Sequence, residues 1–172
     1  MKKYVAFLRA INVGGTKIIK MDDLKKTFAS FGFENVQTYI QSGNVIFETN
    51  KSTALESKIE KRLEKALGYK VETFVRSMDE VADIANKSPF TPQGEETLHV
   101  VFLRRKPVKS SVEALTRYNS AADQFAAPGR EVYNLRRDRE RSVFSNGFIE
   151  KIFGAATTRN MTTVKKILEK YR

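Results

Sequence analysis

Residues able to do chemistry gather in three short polar segments. Arg9, Asn12, Gly14, Gly15 and Lys17 follow an apolar run at residues 4–8; Gln41, Ser42, Gly43 and Asn44 form the second segment, and Thr157, Thr158, Arg159 and Asn160 the third. A guanidinium fork matches the oxygens of a phosphate or carboxylate, and hydroxyls and amides complete such a shell. Position adds to type. The first segment reads as a loop between a strand's carboxyl end and a helix, where ligands sit in open α/β sheets, and the third precedes a helix start, whose N–H groups favour anions. Brought together, the three segments would form a cup for a phosphate or carboxylate. The pattern matches neither G-x-x-x-x-G-K-[ST] nor G-x-G-x-x-G. Each residue also has a plain structural use: Asn12 and Asn160 as helix caps, Arg9 as a partner for a carboxylate, and 41–44 as a turn.

Other candidates are fewer. His99 is the sole imidazole, set between Leu98 and Val100 in an apolar run, a setting more typical of a structural histidine. No G-x-S-x-G elbow places a serine beside it. Asp22 and Asp23 could hold Mg²⁺ near a phosphate, although two acids in a first helical turn mainly complement the helix dipole. The chain of 172 residues has no Cys, which excludes disulfides, thiolate metal sites and cysteine nucleophiles, and one His excludes a multi-histidine metal cluster. No cofactor and no metal are therefore expected. No stretch approaches the roughly 20 apolar residues that span a bilayer, and Arg9 cuts the first apolar run well short of a secretory signal. The expectation is a cytoplasmic protein with no membrane partner, its oligomeric state unspecified.

The elements that must position these residues are legible in the first half. A strand at 4–8 is followed by a helix whose Met21, Leu24, Phe28 and Phe31 recur at spacings of three and four and which Gly32 stops. Strands at 36–41 and 44–49 flank Ser42-Gly43, read as a two-residue hairpin pairing Gln41 with Asn44, Tyr39 with Ile46 and Gln37 with Glu48. One face of that hairpin is apolar and the other carries Gln37, Tyr39, Gln41, Asn44 and Glu48. Thr53 to Glu56 reads as a capping box opening a helix with Leu55, Ile59, Leu63 and Leu67 on one stripe, and a strand follows at 71–75. This β-α-β-β-α-β order is the ferredoxin-like arrangement, with both helices on one face of the sheet. The fold class is α+β, a ferredoxin-like half at 1–87 and a second α/β half at 88–172 packed against it, the boundary drawn at the turn-rich 88–94. In the second half, Ser77 to Glu80 caps a helix toward Asn86, strands fall at 98–103 and 131–135, and Ser110 to Glu113 caps another helix. A short helix covers 121–127, another ends at Gly154, and an amphipathic terminal helix follows Asn160. No internal repeat is evident.

Several of these motifs together resemble a known family. Leu8-Arg9-Ala10-Ile11-Asn12-Val13-Gly14-Gly15, Met21 with Leu24, Thr38-Tyr39-Ile40-Gln41-Ser42-Gly43-Asn44-Val45-Ile46-Phe47, and Thr157-Thr158-Arg159-Asn160 with Thr163-Val164 look like the signatures of the domain of unknown function 1697 family of bacterial proteins. Two positions depart from its pattern. Met161 stands where family members usually carry Trp, and Ser142-Val143 where a Ser-Lys pair is expected, so a Trp or Lys role does not transfer to either position. The resemblance implies a compact α/β fold with ferredoxin-like elements and supplies no activity.

Charge is the remaining clue. Residues 1–86 carry 14 basic and 11 acidic residues, whereas 87–172 carry 17 and 9, so most of the net +11 lies in the second half. It is densest at Arg104-Arg105-Lys106, at 130–141 and from Lys151 onward. With a pI near 9.8, such clusters are either an electrostatic footprint for nucleic acid or a solvated basic surface. An RNA-recognition sheet is excluded, because its stacking positions would fall on Asn44 and Ile46. The reading favoured by the sequence is a protein binding a phosphate-bearing small molecule or nucleic acid through Arg9, Asn12, Gln41, Ser42, Asn44, Thr158, Arg159 and Asn160. The alternative is an enzyme on a small phosphorylated or acyl substrate, with Arg159 as clamp and His99, Ser42 or Asp23 near the chemistry.

Overall fold

In the computed structural model, which describes all residues except Val13, Gly14 and Thr16, the chain folds as two compact units. The first comprises Met1–Ala82 with Tyr171–Arg172, the second Asp83–Lys170, so the division falls ahead of the 88–94 connection. Among the described residues no helix is long and apolar enough to cross a membrane.

The first unit runs β1 (Lys2–Leu8), α1 (Met21–Ser30), β2 (Glu34–Tyr39), β3 (Asn44–Thr49), α2 (Leu55–Leu67), β4 (Thr73–Ser77), with α3 (Met78–Asn86) following. Its antiparallel sheet has the order β2-β3-β1-β4, the ferredoxin-like arrangement. Alternation along the strands sends Tyr4, Ala6, Leu8, Val36, Val45, Phe47 and Val75 to one face, where Leu24 and Phe28 of α1 and Leu55, Ile59 and Leu63 of α2 close the core. Phe33 and Phe47 stack at 4.3 Å and Phe28 lies 5.9 Å from Phe47, so this core is largely aromatic. Val5, Phe7, Ile46 and Phe74, on the opposite face, are buried as well, and so is Asn44.

The hairpin departs from expectation in an instructive way. Tyr39 pairs with Asn44 and Gln37 with Ile46, so the turn is the four residues 40–43 and the pairing is displaced by two. Ile40 takes φ +49° and Gly43 φ +86°, while Asn44 Nδ2 donates to Tyr39 O at 2.8 Å and to Ser42 Oγ at 3.0 Å. These bonds close a wider turn than Ser42-Gly43 alone would make. An even displacement leaves every side chain on its original face, so the apolar face is the expected one.

Two of the expected caps are also absent. The helix α2 begins after Ala54, at φ +53°, with no side-chain cap. Glu56 instead accepts from Val75 N at 3.1 Å, and Glu60 from Thr73 N at 3.2 Å. The carboxylates of α2 thus cover donors on the edge strand β4, which suits a sheet edge better than a cap would. The helix α4 (Lys109–Thr116) likewise starts after Val108 without a side-chain cap. By contrast the Ser77–Glu80 box forms in both directions, with Ser77 N donating to Glu80 Oε2 at 2.7 Å and Glu80 N to Ser77 Oγ at 3.2 Å.

The second unit repeats the first. Its order is β5 (Thr97–Leu103), α4, β6 (Asp123–Ala126), β7 (Glu131–Arg136), α5 (Asn146–Phe153), β8 (Ala156–Asn160), then α6 (Met161–Tyr171), and its antiparallel sheet runs β6-β7-β5-β8. Numbered within the unit, this is the same strand order as in the first. The helix expected at 121–127 is strand β6, paired Phe125 to Asn134 and Asp123 to Arg136. Val101, Leu103, Phe125 and Val132 face Leu115 of α4 and Ile149 of α5 in this unit's core. Sequence echoes architecture at equivalent positions: Val5-Ala6-Phe7-Leu8-Arg9 against Val100-Val101-Phe102-Leu103-Arg104, and Arg76-Ser77-Met78 with Val81 and Ile84 against Arg159-Asn160-Met161 with Val164 and Ile167.

Candidate functional site

The first two polar segments meet within the first unit, and what joins them is internal bonding. Asn12 Nδ2 donates to Gln41 O at 3.0 Å and to Ile19 O at 3.2 Å, and its Oδ1 accepts from Ile19 N at 2.8 Å. Leu8 N donates to Gly43 O at 2.8 Å. Arg9 pairs with Glu72 at 3.1 Å, both side chains about one-third exposed. Lys17 lies over the Tyr69 ring at 5.3 Å, Gly15 turns the loop at φ +74°, and Gly14 lies outside the described residues. Gln41 and Ser42 stand exposed at the tip of the turn, while Asn44 is buried beneath it.

The third segment belongs to the second unit and is a strand, not a loop. Thr157, Thr158 and Arg159 lie in β8, and Asn160 at its end accepts from Thr162 N at 3.0 Å, capping α6. Thr158 Oγ1 donates to Asn146 Oδ1 at 2.8 Å. Arg159 is buried, its Nη1 donating to Thr157 Oγ1 and Thr158 O, each at 2.9 Å. Burial pushes its guanidinium down to about 10, so it remains charged at neutral pH. Its counterpart in the first unit, Arg76, is equally buried and bonds Val75 O at 3.1 Å. Met161 is buried, as Met78 is in the first unit.

A cavity of about 420 Å³ opens where β5 runs into α4, the counterpart in the second unit of the loop after β1. Arg104, Arg105 and Lys106 line it consecutively, Ser111 adds a hydroxyl, and Leu103, Val108, Ile152 and Phe153 supply apolar wall. Among the described residues no Asp or Glu lines it. Arg105 and Lys106 are exposed and form no ion pair among the described residues. The uncapped start of α4 adds the positive end of its dipole.

His99 sits at the other end of β5 in a hydrogen-bonded chain. Its Nδ1 meets Asn134 Oδ1 at 3.2 Å, and Asn134 Nδ2 donates to Asp123 Oδ1 at 3.0 Å. Ser142 Oγ donates to Asp123 Oδ1 at 2.8 Å and Val143 N to Asp123 Oδ2 at 2.9 Å, so this pair holds the carboxylate. The ring stacks on Phe144, centroids 4.9 Å apart. Burial, then the charge of Arg136, holds the imidazole below its ordinary 6.5, outweighing the bond to Asn134 and the charge of Asp123. A histidine depressed on folding binds its proton more readily in the unfolded chain, so its share of stability is present above pH 6.5 and lost as pH falls below that value. Urea denaturation at pH 7 and pH 5 is expected to show a larger acid loss for the native chain than for His99→Phe.

Asp123 and Asn134 carried no signal in the sequence, since neither stands in a motif. Aligning the two units would have shown them, because Asn134 occupies the position that Phe47 fills in the first. Among the described residues no group of three or more His, Asp or Glu side chains gathers to hold a metal ion.

Fold and sites together define a tandem ferredoxin-like α+β protein with a cationic cavity in its second unit. The chain belongs to the family described as protein of unknown function (DUF1697), whose model matches residues 1–133. A conserved bacterial protein of Streptococcus pneumoniae has a similar structure, with a TM-score of 0.76 and 21% identity, covering 98% of this chain and 97% of its own. No curated protein matches the sequence.

Proposed function

We propose that the protein binds a small phosphate-bearing molecule in the cavity at the β5–α4 junction. The observation that carries this reading is the run Arg104-Arg105-Lys106 along a cavity of about 420 Å³ with no acidic residue among the described residues of its lining. Pockets of a few hundred Å³ suit small ligands, and a fork of guanidinium donors is suited to phosphate oxygens. The apolar wall of Ile152 and Phe153 gives the ligand's body a surface on which to pack. The three polar segments read from the sequence are less favoured, because Arg9, Asn12, Asn44 and Asn160 are engaged in bonds that hold the fold. The cysteine-free composition supports a reducing, cytoplasmic setting.

Calorimetric titration with a phosphomonoester tests the proposal. Because Arg105 and Lys106 are exposed, the double variant Arg105→Ala, Lys106→Ala is expected to stay folded and to lose about tenfold or more in affinity. Unchanged affinity would sink the proposal. Tighter binding to an oligonucleotide, with a steep dependence on salt, would identify nucleic acid as the ligand instead.

A further inference from the structure

The second unit carries polarity at positions where the first shows that the fold needs none. In the β1–β3 ladder Tyr4 faces Phe47, rings 5.8 Å apart, whereas at the equivalent place in the β5–β7 ladder His99 faces Asn134. Exchanging an aromatic pair for His, Asn and a buried Asp costs stability unless every polar group is satisfied. Asp123 and Asn134 are satisfied, and one atom of the His99 ring is left over. Asp123 accepts from three donors, which turns the amide nitrogen of Asn134 toward Asp123 and its carbonyl oxygen toward His99. A carbonyl oxygen only accepts, so His99 Nδ1 must carry the hydrogen, and the neutral ring presents a lone pair at Nε2.

That lone pair has no partner among the described residues, and the ring is half-buried. Thr97, two residues back on the same strand face, has a buried Oγ1 that also makes no hydrogen bond. Arg136 stands opposite Thr97 in the β5–β7 ladder, two residues along from Asn134 and on the same face as His99; its charge and that of Arg139 from the following loop bear on the ring, with Asp123 from β6 opposing them. Neither arginine forms an ion pair among the described residues. Asp123 already accepts from three donors and pairs with neither arginine among the described residues, which leaves these two cations available to an incoming anion.

We infer that His99, Arg136 and Arg139 form a second binding site, in which Nε2 accepts the acidic hydrogen of a phosphate-monoester monoanion while the two guanidinium groups hold its charged oxygens. The chemistry selects for this class. A phosphate ester keeps an acidic hydrogen near neutrality, its second pKa lying near 6, whereas sulfate and carboxylates have none to offer at that pH. If the proton passes fully to Nε2, the products are an imidazolium and a phosphate dianion, and no bond to phosphorus breaks. Arg104 follows the end of β5, five positions on from His99 and about 16 Å away along extended chain, so this site is distinct from the cavity proposed above and does not rest on it.

Being the only histidine, His99 gives one set of ring resonances in a ¹H–¹⁵N spectrum. The experiment uses Arg105→Ala, Lys106→Ala as the parent, so that the cavity contributes nothing. At about pH 6.5 the ring is expected in the Nδ1–H tautomer, the form that free histidine disfavours. Inorganic phosphate should shift Nε2 saturably, with a preference over sulfate of about tenfold. His99→Phe, which restores an aromatic side chain as in the first unit, should abolish the preference, and Arg136→Ala should weaken phosphate binding. An Nε2–H tautomer, or equal responses to phosphate and sulfate in the parent, would overturn the inference without recourse to any further variant.

Discussion

Asp123→Ala is expected to destabilise the protein by about 3–5 kcal/mol, enough to unfold a marginally stable domain at moderate temperature. The carboxylate is fully buried and accepts from Asn134 Nδ2, Ser142 Oγ and Val143 N. Removing it strands Asn134 Nδ2 in the interior and takes the acceptor from the part-buried Ser142 Oγ and Val143 N, and each unsatisfied buried group costs about 1–3 kcal/mol. The damage should spread beyond the sheet. Ser142 and Val143 tether the arginine-rich stretch 136–141 to β6, and Phe144 beyond them stacks on His99. With no Trp in the chain, far-ultraviolet circular dichroism during urea denaturation is the suitable readout. A loss below about 1 kcal/mol would mean that the network is dispensable.

Gly43→Ala is the second large effect, expected at about 2–4 kcal/mol. Gly43 adopts φ +86°, and an added Cβ would lie 2.7 Å from Ile11 Cδ1 and 3.0 Å from Leu8 Cβ. Ile11 and Leu8 are both core residues, so neither can retreat freely. Gly32→Ala provides the control. It has nearly the same dihedral, φ +87°, but open space around the added Cβ, so it should cost only about 1 kcal/mol. Comparing the two denaturation midpoints separates backbone strain from the close approach of the 40–43 turn to the loop after β1. Equal losses would show that the approach is unimportant.

Much of this architecture was legible in the residues. Alternation and three-to-four spacing identify β1, α1, β3 and α2 because each buries one apolar face, and that requirement leaves its period in the sequence. The structure departs from the local signals where a short-range preference competes with a long-range contact. Ser42-Gly43 suggests a two-residue turn, yet Asn44 ties back to Tyr39 and widens it. Residues 121–127 are rich in Ala, a strong helix former, yet pairing with β7 and burial of Asp123 and Phe125 make them a strand. Thr53 and Glu56 have cap spacing, but an edge strand's donors claim Glu56.

The site was harder to read for a related reason. Arg9, Asn12 and Asn160 have the types and positions of ligand residues, and those same qualities fit them to brace turns and helix starts. Arg104-Arg105-Lys106 was visible as charge but not as the lining of a cavity, because only the tandem repeat places it after the first strand of a second ferredoxin-like unit. The repeat itself is faint, since the echoing segments lie 95 residues apart at β1 and β5 but 83 apart at β4 and β8, unequal loops having shifted the spacing.

The central claim is that phosphate enters at the β5–α4 junction. Backbone amide shifts of the ¹⁵N-labelled chain, followed while a phosphomonoester is added, test it most directly. The account predicts saturable shifts at Arg104, Arg105, Lys106 and Ser111, absent in the Arg105→Ala, Lys106→Ala variant. Shifts centred instead on Arg9, Asn12 and Gln41, or no saturable change at the β5–α4 junction, would contradict it.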